Sequence, residues 1–261
     1  MPYFKRKKGK RPAKGKRSST TENANAVPEA GKLQSMQPGP RTQQESILHV
    51  LQNSYMYTES GSCFRYSDIQ LVNSLSLHKE YQAFRLEKRK MGYTEEELKE
   101  SFGFLLFEHG EKTKQLCEQG LLPGNGSCST LGDPSKGVYV SKYSDCLDLS
   151  PWYHGKSGYI AILRLTKGRV KAVMENYTQN FTAPSPGYDC HVSEQISAVS
   201  STTSSFLAYE RTQYYLYEQC EQGECLTARP RHALPFAIVA FSYGETKPCA
   251  SVAEEKRYTI L

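Results

Sequence analysis

Apolar residues recur at helical spacing at the start of the folded part of the chain. Ile47, Leu48, Val50, Leu51 and Tyr55 fall on one face, which predicts a helix from about residue 43. A Ser-rich break follows, then the apolar group Ile69-Gln70-Leu71-Val72. A second helix is expected from about Leu77 to Met91, with Tyr81, Phe84 and Leu86 on its apolar side and Lys79, Arg85, Lys88 and Arg89 towards water. Thr94 followed by three glutamates reads as an N-cap and the acidic first turn of a short helix. Phe102 to Phe107 is nearly continuous in apolar residues and reads as a buried strand. Lys112 to Gln119 fits a helix that Gly120 stops.

The second half alternates instead. Val138-Tyr139-Val140 is a short strand entered through the turn Gly132-Asp133-Pro134-Ser135-Lys136-Gly137. Strand side chains alternate faces, so Tyr139 points away from both valines. If the valines face a core, the ring of Tyr139 is a flat platform for a planar group; the alternative is a buried tyrosine with a satisfied hydroxyl. Tyr143 to Leu149 fits a short helix. Tyr159 to Leu165 is a strong strand, and Val170 to Val173 is expected to continue it past the turn at Lys167-Gly168. Residues 174–204 read mostly as loop, the end of Phe206 to Tyr217 as strand, and Pro235 to Phe241 as the last strand. Helices first and antiparallel-capable strands later give one α+β domain over residues 43–243, with a disordered basic tail at 1–42 and a flexible tail at 244–261.

Charge changes the picture only at the N-terminus. Of 33 Lys and Arg, nine lie within residues 5–17: Lys5, Arg6, Lys7, Lys8, Lys10, Arg11, Lys14, Lys16 and Arg17. The remaining 24, against 27 Asp and Glu, give residues 18–261 a formal net charge of −3. The body is therefore not a nucleic-acid-binding domain on charge grounds, and the tail fits a nuclear-import signal or a weak nucleic-acid contact. No apolar run approaches about 18 residues, so no membrane span is expected. The basic N-terminus does not read as a secretory signal. The eight cysteines, none in a C-x-x-C pair, are accordingly expected as free thiols, and the sequons at Asn125, Asn176 and Asn180 as idle. Cys220, Cys225 and His232 match no standard zinc spacing, so no metal is expected. Gly124-x-Gly126 lacks the Gly-Lys-Ser/Thr of a P-loop.

The order of motifs carries a resemblance. An apolar strand, a helix ending in Gln119-Gly120-Leu121, a loop, then Gly137-Val138-Tyr139-Val140 and a segment containing Ser144 resemble the poly(ADP-ribose) polymerase (PARP) catalytic fold. Residues 43–243 more closely resemble the PARP-like domain of the TASOR family, and its large testis-expressed branch. The carrying segments are Lys142 to Leu149, Pro151 to Tyr159, Tyr188 to Val192, Thr212 to Glu218 and Arg229-Pro230-Arg231. The resemblance implies an ADP-ribosyltransferase fold with N-terminal helices and a split, mostly antiparallel sheet. It also implies nuclear work in transposon and heterochromatin silencing, with silencing proteins as partners. The testis-expressed branch implies a germline and meiotic setting, in spermatogenesis.

Active PARPs use a His, a Tyr and a Glu around NAD. Tyr139 falls on the family's Tyr, with Gly137 before it and Ser144 after it. His109-Gly110 resembles the His-Gly pair, but lies about three residues too close to Gln119-Gly120-Leu121; Leu106 is the better ungapped match. Gln213 stands at the position of the Glu. A glutamine accepts a hydrogen bond but brings no charge to a cationic transition state, and Glu210 falls on the opposite strand face. The expectation is a pseudoenzyme with no cofactor, acting as an interaction module in the nucleus, with a cytoplasmic pool compatible. A mono-ADP-ribosyltransferase using NAD and a nucleic-acid-binding protein acting through its tail are the two alternatives.

Overall fold

In a computed structural model the described residues are 42–107, 110–124, 130–145, 157–174, 181–195, 209, 211–220 and 226–244. All belong to the unit Pro40–Leu261. The first helix, α1 (Gln43–Gln52), opens with a capping box between Thr42 and Glu45 and buries Ile47 and Leu51. A one-turn helix α2 (Ser60–Cys63) leads directly into β1 (Phe64–Leu71). The longest helix is α3 (Leu75–Lys90), capped by the Ser74 side chain; it buries Leu77, Tyr81, Phe84 and the stem of Lys88 along one stripe. Its basic last turn suits the negative end of the helix dipole. The expected helix after Thr94 is a turn. Thr94 and Glu97 exchange the hydrogen bonds of a capping box, but Leu98 is already buried and β2 starts at Glu100, so no second helical turn has room.

The remaining elements are β2 (Glu100–Phe107), α4 (Gly110–Gln119), β3 (Val138–Ser141), β4 (Ser157–Thr166), β5 (Val170–Val173), β6 (Cys190–Ser193), β7 (Gln213–Leu216) and β8 (Ala233–Tyr243). Among the described residues they form one eight-stranded sheet in the order β1-β8-β4-β2-β3-β7-β6-β5. All neighbours are antiparallel except β5 and β6. The sheet is split. Strands β2 and β3 share a single register pair, Phe104 with Ser141, whereas β2 and β4 are paired from Glu100–Thr166 to Phe107–Tyr159. At the split, Gly103 lies under Val140, where a Cβ would stand 2.3 Å from Val140 Cγ1.

One sheet face, carrying Leu105, Val138, Val140, Leu163, Tyr214 and Leu216, packs with Leu116 and Leu121 at α4. The other, with Phe104, Ile160, Ile162, Val239 and Phe241, is covered by Ile47 and Leu51 of α1. Pro235 is tolerated in a central strand because it lies at the bulge opposite Ile162 and Leu163, where the ladder shifts register.

Three sequence expectations change here. Strand β5 does not extend β4. Both edges of β4 are taken by β2 and β8, so the chain leaving Thr166 turns at Gly168 (φ 66°) and pairs in parallel with β6 at the far edge. Strand β6 itself lies inside the stretch expected to be mostly loop; Cys190, His191 and Ser193 are buried there. Of the helix expected from Tyr143 to Leu149, the described part, to Asp145, is a turn; the rest lies outside the described residues.

Candidate functional site

Tyr139 and Tyr215 are register partners on neighbouring strands, as are Ser141 and Gln213. All four therefore share one face of the sheet, opposite Val138 and Val140. Tyr139 is 1% exposed and Gln213 2%. The structure thus brings the tyrosine and the glutamine of the expected site onto one surface, and then buries both.

What covers Tyr139 is the loop before β3. The Tyr139 hydroxyl accepts from the amide of Gly132 at 2.7 Å and donates to the carbonyl of the same residue. Tyr215 donates to the carbonyl of Asp133 at 2.7 Å. His191 Nδ1 stands 2.9 Å from the carbonyl of Leu131; a carbonyl only accepts, so the proton is on Nδ1. Three consecutive carbonyls, at 131, 132 and 133, are thereby each held by a different side chain from β3, β6 and β7. His191 Nε2 is left to accept from the Ser185 hydroxyl at 3.0 Å. Burial and the nearby Lys171 lower the pKa of this imidazole, burial most.

The rings fill the space beneath. Tyr139 and Tyr215 meet at a centroid separation of 5.1 Å, and Tyr215 and Tyr217 at 5.5 Å. Leu131 and Val173 complete the cluster. A Cβ on Gly137 would stand 2.6 Å from the carbonyl oxygen of Leu216 and from the Tyr215 ring, so that glycine is a point of close packing. Burial raises the pKa of Tyr215, with Tyr139 adding to the rise; its phenol is neutral.

The other expected positions are committed elsewhere. Gln213 Nε2 donates to the carbonyl of Tyr209 at 3.1 Å. Ser144 donates to the carbonyl of Leu51 at 2.6 Å and so fastens the end of α1. The adjacent Asp145 accepts from the amides of Met56 and Tyr57 and from the Ser60 hydroxyl; burial nonetheless raises its pKa. Leu106 is a β2 residue paired with Ile160 and packs against the α1 face. Gly110 opens α4 beside the Tyr159 ring. His109 and Glu210 lie outside the described residues, as do the basic positions 5–17.

NAD does not fit this arrangement. Its nicotinamide would need the open face of Tyr139, which Tyr215 takes, and its ribose would need a polar group free to bond it. The hydroxyl groups of Tyr139 and Ser144 and the amide nitrogen of Gln213 are spent on backbone. Clefts of about 450, 590 and 610 Å³ lie elsewhere and are not lined by Tyr139 or Gln213. Among the described residues no group of three His, Cys, Asp or Glu is placed to hold a metal ion, and no helix is long and apolar enough to cross a membrane.

The remaining sequence motifs fasten other segments, mainly to α3. Asp189 (1% exposed) pairs with Lys88 of α3 and accepts from the Arg169 amide; it rests on Gly168, where a Cβ would come within 2.3 Å of its carboxylate. Arg231 bridges Glu218 at 2.8 Å and Glu87 at 2.6 Å. Arg229 pairs with Glu80. One sequence expectation fails: Cys220 is disulfide-bonded, through a partner outside the described residues. A bond between two chain positions is set by the fold, and the absence of C-x-x-C spacing does not forbid it. Cys63, Cys117 and Cys190 are free thiols.

Comparison with known proteins agrees with this geometry. Residues 87–235 match the family described as "Protein of unknown function (DUF3715)". The chain is 33% identical to Protein TASOR of Mus musculus over 222 residues, covering 82% of this chain and 14% of that protein. It is 36% identical to Protein TASOR of Xenopus laevis over 210 residues, covering 77% of this chain and 13% of that one. It thus spans about one seventh of the length of these relatives. The crystal structure of the TASOR pseudo-PARP domain superposes with a TM-score of 0.71 at 35% identity, over 80% of this chain and 97% of that one. Tyr139 is buried within this fold, and the chain belongs to the DUF3715 family, with the fold of the TASOR pseudo-PARP domain.

Proposed function

We propose that this domain is a catalytically inactive, PARP-like interaction module of a nuclear protein in transposon and heterochromatin silencing. A germline and meiotic setting, in spermatogenesis, is part of the same reading and rests on the resemblance of its motifs to the testis-expressed branch. The observation that carries the loss of catalysis is the double hydrogen bond between the Tyr139 hydroxyl and Gly132. It closes the loop over the ring that a nicotinamide would stack on. The missing charge at Gln213 acts in the same direction: removing one preorganised electrostatic contact typically costs on the order of 2.7–4 kcal/mol of barrier. A fold kept intact around a closed pocket leaves its surface as the part available for work. Partners among nuclear silencing proteins, and entry into the nucleus through the basic run at 5–17, complete the reading.

The test uses labelled NAD and calorimetry on the same preparation. No transfer of ADP-ribose and no binding heat are expected, and Gln213→Glu alone does not restore either, because the platform stays covered. Transfer by the wild-type chain that Tyr139→Ala abolishes would overturn the reading.

A further inference from the structure

Away from Tyr139, a cleft of about 450 Å³ opens where α1 begins, β1 ends and α3 starts. One wall is apolar, built from Leu71, Leu75, Pro235 and Phe236. Leu75, in the first turn of α3, is 80% exposed, and Leu71, at the end of the edge strand β1, is 36% exposed. Large apolar side chains left in water on one rim mark a contact surface more than they mark a core.

The other wall carries a cation that no carboxylate among the described residues neutralises. Arg164, near the end of β4, holds its guanidinium carbon 4.6 Å from the centre of the Phe236 ring. Five other arginines, Arg85, Arg89, Arg169, Arg229 and Arg231, each hold a carboxylate. Among the described residues Arg164 holds none, and no Asp or Glu lines the cleft. His78 joins it from α3. The stacked ring orients the planar fork of the guanidinium, which matches a carboxylate in two-point contact. Asn73 and Gln43 on the lining can meet the main chain of an extended ligand.

We propose that this cleft binds a linear segment of a partner protein in which a carboxylate side chain neighbours a bulky apolar residue. The carboxylate sits on Arg164 and the apolar side chain between Leu71, Leu75 and Phe236. The inference rests on the reading of the domain as an interaction module and names the chemistry of one partner. A nucleic acid is disfavoured: its affinity comes from a row of cations against phosphates, and this cleft offers one arginine and one histidine between apolar walls.

The experiment screens the full chain against an array of nonapeptides. Each carries a central Glu, Asp or Gln, with flanks of Leu, Ile, Phe, Tyr or Ser, and the best is followed by fluorescence anisotropy. Acidic peptides with apolar flanks are expected to bind, and the Gln-centred version about tenfold more weakly. Arg164→Gln should erase the difference between Glu and Gln peptides. Leu75→Ser should weaken every apolar-flanked peptide several-fold while the melting temperature stays unchanged, because this side chain is already in water. The proposal is overturned if no peptide binds at concentrations on the order of 1 mM, if Glu and Gln peptides bind alike, or if neither variant alters binding. Dimerisation of the chain that Leu75→Ser abolishes, without peptide binding, would assign the cleft to a second copy and also overturn it. Transfer of ADP-ribose by the same preparation would instead strike at the pseudoenzyme reading and leave the peptide result untouched.

Discussion

The ring of Tyr215 occupies the place where a side chain at Gly132 would begin. A Cβ added there would stand 2.1 Å from Tyr215 Cε1, although Gly132 is not among the glycines with a positive φ. Glycine is needed at this point for closeness, so that backbone can lie flat on a phenol. That contact joins the loop before β3 to the strand β7 and helps to bury the aromatic cluster of Tyr139 and Tyr215.

Gly132→Ala tests the contact. The methyl group must push either the loop or Tyr215 away, and overpacking of this kind costs about 1–3 kcal/mol. The urea midpoint is expected to fall by the corresponding amount. In a Tyr215→Leu background the same substitution should cost less, because the obstructing ring is gone. Equal costs in the two backgrounds would mean that the loop yields without touching position 215.

Arg231 and Glu87 should behave very differently although they bond to each other. Glu218 has a side chain only 2% exposed and depends on Arg231 for a guanidinium partner. Arg231→Ala takes the guanidinium from a buried carboxylate and leaves it the amide of residue 231, and breaking a buried pair in this way costs about 3–5 kcal/mol. Glu87, half in water, has its pKa lowered chiefly by the hydrogen bond from Arg231. Its loss leaves Arg231 with Glu218, and an exposed pair is worth about 0–1 kcal/mol. Chemical denaturation of both variants checks the contrast.

Acidification should loosen the cover over Tyr139. His191 and His232 are fully buried, and burial depresses the pKa of each below the ordinary 6.5. With a folded-state pKa lower than the unfolded one, the unfolded chain takes up protons first. Stability is therefore full above about pH 6.5 and declines as pH falls towards the folded-state values. The slope is at most about 1.4 kcal/mol per pH unit for each histidine. Denaturation midpoints at pH 7.5 and 6.0 should show the fall, and His191→Gln should flatten it; an unchanged slope in that variant would remove His191 from the explanation.

Deleting residues 1–17 tests the import reading. A fluorescent fusion of the full chain is expected to concentrate in the nucleus and the truncated one to spread evenly. Equal enrichment would take that role away from the nine basic residues.

The legible parts of this fold were those written in local patterns. Tyr139 opposite two valines, the apolar run of β2 and the helix stopped at Gly120 each follow from alternation or spacing over a few residues. Asp133 to Gly137 announced a turn for the same reason. The parts that were not legible depend on partners far away. Cys190-His191-Val192-Ser193 is too short and too polar to read as a strand, and becomes one because β7 and β5 lie on either side of it. Thr94 and Glu97 make the bonds that begin a helix, yet β2 claims the chain three residues later. The site follows the same division. Tyr139 and Gln213 could be placed against the family's pattern, whereas no local pattern gives the register that sets Tyr215 beside Tyr139, or the reach of His191 to Leu131. Cys220 belongs here too, since its bond joins positions that spacing alone does not pair.

Among the described residues the last strand in sequence does not lie at an edge of the sheet. Strand β8 lies between β1 and β4, with Phe64 against Tyr243 on one side and Tyr159 against Ala240 on the other. During synthesis β1 has no strand to pair with, and β4 has one open edge, until almost the whole domain has left the ribosome. Burial of Phe64, the α1 face and the edge ladder must then occur together, in a late step governed by contacts far apart in sequence. A fragment trimmed to residues 87–235 would keep the aromatic cover over Tyr139 but lack α1, β1 and most of β8. It would present the open edge of β4 to its neighbours, an invitation to aggregate rather than a smaller version of the domain.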